Sequence, residues 1–244
     1  MFALLTVIVL AAPTMTHGVA TTHSGCVIAA PHEGFDSHTA AIAKSVGEDL
    51  GWGWVVASDY RSSSAKRWFD VNRPTQKLYV RGQAGPARPT DEGLKVYEEY
   101  QRRVFEAAVE GQPLDLLVEI HGHARAARIE GEAVTVQVIE LATIGFSDAQ
   151  LLELRTRYEV LVGKLPEEGR VALAVEQLEP VYAFRGVEVP FYFRASGAKT
   201  TGSMRPSCAK RALHFELPRK VRFDPELRKQ YATLFTLLLR PLTR

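Results

Sequence analysis

Four segments of the sequence concentrate imidazole and carboxylate groups: Pro31-His32-Glu33-Gly34-Phe35-Asp36, Asp70-Val71-Asn72-Arg73-Pro74, Glu119-Ile120-His121-Gly122-His123 and His214-Phe215-Glu216-Leu217-Pro218. A hydrolytic metal site needs about three nitrogen or oxygen ligands and one open position for water. It also needs a carboxylate close by that takes a proton and returns it. His32, Asp36 and His121 supply two imidazoles and one carboxylate, a donor set suited to zinc. Glu216 then remains as the general acid/base. Plainer roles stand beside these. Asp36 or Ser37 can cap a following helix, a histidine at a strand end can be a satisfied polar residue, and Glu216 can be a surface carboxylate.

Such side chains converge only if the elements beneath them bring them to one place. The run Cys26–Pro31 has strand length, as does Trp54–Ala57. The segment LDLLVEI within 113–120 reads as a buried strand, and 134–141 (VTVQVIEL) alternates like a half-buried one. Residues 170–175 and 212–217 are further strands. Helical spacing appears over 39–50 (Ile42, Val46, Leu50) and over 90–109 (Leu94, Tyr97, Val104, Phe105, Ala108). A third helix is expected over 147–161, opened by a Ser147/Gln150 capping box. A last one starts at Pro225, which suits a first helical turn. Strands and helices alternating in this way predict one α/β domain whose sheet is covered on both faces. Three of the four polar clusters lie in or directly after expected strands, and ligands of α/β proteins sit beyond the carboxyl ends of strands. The Gly/Pro/Ser-rich segments 82–89 and 195–206 are expected loops, of a size that is often functional.

The chain has 244 residues, 46% hydrophobic and 24% charged, and 30 Lys+Arg against 28 Asp+Glu leave a formal charge of +2. This composition excludes collagen, coiled-coil and disulfide-dense classes. No basic run marks a nucleic-acid partner, and no apolar run reaches the roughly 18–20 residues of a membrane span. Phe2–Ala12 has the length of a signal-peptide core, and Gly18-Val19-Ala20 offers a cleavage site after Ala20. Residues 1–20 are therefore expected to be a leader and 21–244 the mature domain. The protein is then exported, to a periplasm or the medium; without such a leader it is cytoplasmic.

The motifs resemble those of a known superfamily. Asp70-Val71-Asn72-Arg73 resembles the Asp-x-Asn-Arg segment of zinc carboxypeptidases, Ile120-His121-Gly122 their strand-end zinc-ligand histidine, and 213–217 the late strand with their catalytic glutamate. Pro31-His32-x-Gly34, Asn72-Arg73-Pro74 and 120–123 are most similar to the N-formylglutamate amidohydrolase family within that superfamily. The ordered set covers about 26–217. The resemblance implies a three-layer α/β/α sandwich with a mixed central sheet and one Zn2+ on His32, Asp36 and His121. It implies Glu216 as the residue that activates water, and Asn72 and Arg73 as a clamp for a substrate carboxylate, whose geometry a guanidinium fork matches. The substrate would be an acidic N-acyl amino acid or peptide, cleaved at an amide bond.

The sequence departs from the superfamily at one ligand. The residue three after His32 is Phe35, so the carboxylate ligand must be Asp36 or, less naturally, the adjacent Glu33. His123 lies two after His121 and can replace it or stand behind it. Glu119, on the same side of a strand, can orient an imidazole. Arg61 and Arg67 can reach the oxyanion that forms on attack, with Arg67 taken as the catalytic one, and Arg125 and Arg128 can extend the anion pocket. If the strands before His32 and Glu216 are parallel neighbours, as the superfamily fold implies, Cys26 and Cys208 meet at the far end of the sheet and pair in an exported protein. Two other readings fit the same chain: an exported hydrolase of poly-γ-glutamate or cell-wall peptides, and a degenerate binding protein without catalysis.

Overall fold

Short, nearly continuous apolar runs that are buried on both faces build the central strands of the sheet. The computed structural model describes residues 12–243. Seven strands form its main sheet: β1 (Thr14–Gly18), β2 (Cys26–Glu33), β3 (Gly53–Ser58), β4 (Leu114–His123), β5 (Val138–Ile144), β6 (Ala172–Val175) and β7 (Ala209–Pro218). They lie in the order β1-β3-β2-β4-β7-β5-β6. Strands β3, β2, β4 and β7 run parallel, while β1 and the β5/β6 pair oppose them. The sheet is mixed, with its parallel strands at the centre.

Strand periodicity divides the two faces. Ile28, Val56, Val118, Ile120, Ile139, Leu141, Leu213 and Phe215 join one core with three helices, α1 (Thr39–Leu50), α3 (Asp148–Val162) and α4 (Pro225–Leu239). The opposite face carries Val27, Ala29, Val55, Ala57 and Ala212 against α2 (Asp91–Ala108), through Tyr100, Val104 and Ala107. This is the expected three-layer α/β/α sandwich. The helices begin as the sequence reading expects. Thr90 caps α2 by accepting from Gly93 N, Ser147 and Gln150 close a capping box, and Asp224 accepts from two amides ahead of Pro225.

Residues 60–90 are not a plain connection. They form a four-stranded antiparallel flap, Arg61–Ser62, Arg67–Asp70, Thr75–Val80 and Gln83–Pro89. The alternating stretch 134–141 is not one strand either. Glu132–Thr135 pairs with Ala126–Ile129 in a hairpin, whose turn uses positive φ at Glu130 and Gly131, and the chain then enters the main sheet at Val138. Most of the stretch expected to be a leader, residues 1–11, lies outside the described residues. Thr14–Gly18 pair as an edge strand with β3, a strand that cleavage after Ala20 would remove.

The expected disulfide does not form, and both cysteines are free and buried. Strand β4 lies between β2 and β7, so Cys26 and the start of β7 are two ladder spacings apart, roughly 10 Å. That exceeds the about 7 Å a disulfide spans between Cα atoms. Cys26 also packs into the core shared with α1, whereas Cys208 faces Tyr97 of α2.

Candidate metal centre

The polar clusters gather at the carboxyl ends of the parallel strands, on the α2 face. In the β4/β7 ladder Glu119 lies beside His214 and His121 beside Glu216, so period-2 geometry turns all four side chains the same way. From β2, His32 arrives on that side. Directly after it the chain makes a tight turn in which the amides of Phe35 and Asp36 both donate to the His32 carbonyl, at 3.2 and 2.8 Å. Gly34 holds φ +91° in this turn, and a Cβ there would lie 2.8 Å from Asp59 Oδ1. The turn swings Asp36 back over His32. Glu33 does something else. Its carboxylate accepts from His38 N, Thr39 Oγ1 and Ala40 N, capping α1. The cap expected of Asp36 or Ser37 is thus Glu33, and Asp36 is the carboxylate that faces the site.

His32 Nδ1 lies 3.0 Å from His121 Nδ1 and 3.5 Å from Asp36 Oδ2, and His121 Nδ1 lies 3.4 Å from Asp36 Oδ2. These three atoms form a nearly equilateral triangle. A tetrahedral zinc with bonds of about 2.0–2.1 Å separates its ligand atoms by about 3.3 Å, so the triangle has the size of one face of such a site. The outer nitrogen of each ring faces a buried carboxylate, His32 Nε2 at 3.5 Å from Asp70 Oδ1 and His121 Nε2 at 3.4 Å from Glu119 Oε2. A carboxylate–histidine hydrogen bond of this kind fixes the tautomer and leaves Nδ1 as the donor to a metal; His121 makes one with Glu119, whereas His32 Nε2 stands near Asp70 without a hydrogen-bond partner. Among the described residues, Glu119, His121 and His214 form a second His/carboxylate group. Its two imidazoles stack at 3.9 Å and so do not aim their lone pairs at one point.

Glu119 is fully buried and organises the floor. It accepts from Tyr100 OH at 3.0 Å, Ser203 Oγ at 2.6 Å and Asn72 Nδ2 at 2.9 Å, and faces His121 and His214 at 3.4 Å each. His214 Nε2 in turn contacts Glu216 Oε1 at 3.2 Å, while Glu216 Oε2 is buried with no hydrogen-bond partner. Electrostatics follow from these contacts. Burial alone would raise the carboxyls of Asp36 and Glu119, but hydrogen bonds from His121 and from His32 or His214 hold both well below the usual carboxylate range. Burial would lower His121, yet Asp36 and Glu119 lift it to about 9. His32 goes the other way, lowered by burial and by the Arg61 guanidinium.

Above this floor opens a cavity of about 510 Å³, lined by the metal-site residues and by Arg61, Asn72, Arg73 and the segment 192–198. Asp70 gathers the flap's cations. It pairs with Arg61 and Arg73 and accepts from Thr75 Oγ1 at 3.2 Å. Burial lowers Arg61 to about 10.

The placements of the residues singled out in the sequence are therefore unequal. His32, Asp36, His121, Glu216, Asn72 and Arg73 all border one cavity, although the Asn72 amide nitrogen is committed to Glu119. Arg67 does not line the cavity, and its Nε donates to the Asp59 carbonyl at 3.0 Å; Arg61, on the neighbouring flap strand, lines it instead. Arg125 lies behind the wall on Glu140, and Arg128 donates to the Gly131 carbonyl. His123 contacts the Val138 carbonyl at 2.9 Å, beyond the cavity. His214 was legible as the residue two before Glu216 on the same strand face. Tyr100 and Ser203 carry no sequence signal.

Fold and site together define an α/β/α protein with a His-Asp-His triangle and a neighbouring carboxylate at the carboxyl ends of parallel strands. No protein-family model matches the chain and no curated protein matches it. A solved gene product of Agrobacterium tumefaciens superposes with a TM-score of 0.54 at 13% identity, covering 93% of this chain and 94% of that one. It shares the fold. A bacteriophage poly-gamma-glutamate hydrolase is similar at a TM-score of 0.49 and 11% identity, over 96% of this chain and 89% of that one.

Proposed function

We propose that this protein is a zinc-dependent hydrolase of amide bonds in acidic N-acyl amino acids or peptides, of the N-formylglutamate amidohydrolase kind. The observation that carries the reading is the triangle of His32 Nδ1, Asp36 Oδ2 and His121 Nδ1, with edges of 3.0, 3.5 and 3.4 Å. Each imidazole in it is backed by its own carboxylate. His32, Asp36 and His121 would hold the zinc, which would supply Lewis acidity to polarise the scissile carbonyl and to bring the pKa of a water toward neutrality.

The chain's own residues do the remaining work. Glu216 Oε2, buried and unpartnered, receives the proton of the attacking water and delivers it to the leaving amine. His214 holds the other Glu216 oxygen at 3.2 Å, so the proton moves at Oε2. Arg61 and Arg73 present cationic donors to a substrate carboxylate or to the oxygen that gains charge on attack. Asp70 holds both guanidinium groups in place, and Asn72 braces Glu119 beneath the metal ligands.

Metal analysis of the purified protein, with turnover on N-formylglutamate, N-acetylglutamate and γ-glutamyl peptides, tests the reading. About one zinc per chain is expected. Glu216→Gln should keep the zinc and lose about 10²–10⁴-fold in turnover, the range for a general acid/base. Protein purified without metal that does not take up zinc, or a Glu216→Gln variant of undiminished activity, overturns it.

A further inference from the structure

Glu140 on β5 takes no part in the chemistry above, yet it is a carboxylate of zero exposure in the sheet. Its strand neighbour across the β5/β7 ladder is Glu216. Placing an ion in the interior carries a desolvation cost of several kcal/mol, which a hydrophobic residue would avoid. Glu140 is compensated by four donors. Arg125 Nη1 and Tyr182 OH (2.7 Å) serve Oε1. The backbone amides of Tyr192 (2.9 Å) and Phe193 (2.8 Å) serve Oε2. Arg125 adds a second tie, from Nη2 to the Pro190 carbonyl at 2.7 Å, and its guanidinium lies 5.2 Å from the Tyr192 ring.

The tethered residues are the start of the wall facing the metal ligands, where Tyr192, Phe193 and Arg194 line the cavity. This stretch belongs to no strand or helix, and Tyr192 is 68% exposed. The backbone amides of Tyr192 and Phe193 are tied to the sheet through Glu140, directly after Phe191, which is buried and donates its amide to the Pro180 carbonyl at 2.9 Å. One rung of the ladder joins the anchor of the wall to the carboxylate that moves the proton.

We infer that Glu140 is a positioning residue for substrate. It locks the wall segment 192–194 at a set distance from Glu216, so that the cavity is preformed to capture substrate. The inference rests on the hydrolase reading for its kinetic consequence, but the locking of the wall is independent of it. Without Glu140 the wall samples positions that do not bind, and apparent affinity falls by the fraction of time it is out of place.

The test compares wild type, Glu140→Ala and Arg125→Gln in zinc content, in hydrogen exchange of the peptide containing Tyr192 and Phe193, and in KM and kcat on the best substrate of the panel above. Glu140→Ala is expected to keep its zinc, to exchange those amides about tenfold faster, and to raise KM about tenfold with kcat within about twofold, as a binding-competent fraction of about one tenth requires. Arg125→Gln leaves the two amide bonds and removes the Pro190 tie. It should move the same readouts in the same direction by about threefold, and it serves if the alanine variant does not fold. Unchanged exchange in a folded, zinc-loaded variant overturns the inference, as does a fall in kcat at constant KM. If no substrate of the panel is cleaved by wild type, exchange alone decides, so failure of the hydrolase reading and failure of the wall anchor remain distinguishable.

Discussion

Asp70 is the residue whose neutralisation separates the parts of this site most clearly. It is 3% exposed and stands between three cations or potential cations. One oxygen faces His32 Nε2 at 3.5 Å and also pairs with Arg61, while the other takes Arg73 and Thr75. Asp70→Asn is nearly isosteric but has one acceptor oxygen and no charge, so its NH2 group must face a guanidinium or the His32 N–H. Two effects follow. Loss of the carboxylate behind a ligating imidazole typically weakens metal binding by about 10–100-fold, or about 1.4–2.7 kcal/mol. Loss of a buried pair costs about 3–5 kcal/mol when the surviving charge stays buried. Arg61, with 13% side-chain exposure, meets that condition, whereas Arg73 at 38% is largely screened by water and adds little. The variant should therefore be less stable by about 3 kcal/mol even without metal, with its zinc affinity lowered by the amount above. Urea unfolding of metal-free protein measures the first, and competition against a chromophoric chelator measures the second. A folded Asp70→Asn protein with wild-type zinc affinity refutes the claim that Asp70 orients His32. Wild-type stability without metal refutes the account of Arg61.

The metal-free protein should be most stable near pH 6.5. Asp36 and Glu119 are depressed in the folded state, so their contribution is present above the ordinary carboxylate values of about 4 and is lost as pH falls below them. His32 is also depressed, so stability falls as pH drops below 6.5, where the unfolded chain takes up a proton that the folded chain refuses. His121 is raised to about 9, so its contribution is complete below 6.5 and disappears as pH climbs to about 9. Thermal melts in chelator from pH 4 to 9.5 check this, and a curve that rises steadily across pH 6.5–9 contradicts it. Alkylation in denaturant without reductant should label two thiols per chain. In the native protein at pH 8 Cys26 should stay unlabelled, because burial and then Asp115 push its thiol to about 11. Mass spectrometry reads both, and no label on either cysteine in denaturant would restore the disulfide.

What could be read in the sequence was whatever depends on local period. The run Leu116-Leu117-Val118-Glu119-Ile120-His121 states its own geometry: with period 2, Glu119 and His121 share a face with Leu117, and Leu116, Val118 and Ile120 take the other. The same rule puts His214 beside Glu216. The turn from His32 to Asp36 is local as well, since four residues suffice to fold one side chain back on the other. What escaped depends on which elements become neighbours. Arg61 and Arg67 are equivalent as sequence, but the flap pairs Arg61 with Trp68 and Ser62 with Arg67, and that register alone decides which guanidinium enters the cavity. Cys26 and Cys208 failed to meet because one strand, β4, intervenes, a fact of sheet order that spacing does not encode. Arg125 has the right charge and stands two residues after a histidine of the motif. The chain, however, leaves β4 at His123, and Arg125 finds Glu140 on a strand that is antiparallel to β7. Its cation is thus used within the protein, where it neutralises the carboxylate that anchors the wall. Of the three arginines that line the cavity, Arg194 belongs to its wall, and Arg61 and Arg73 are supplied by the flap, through Asp70. The arginine-lined side of the cavity and its wall are therefore held by two separate buried carboxylates, Asp70 and Glu140, each gathering cationic and neutral donors from segments that the α/β core itself does not fix.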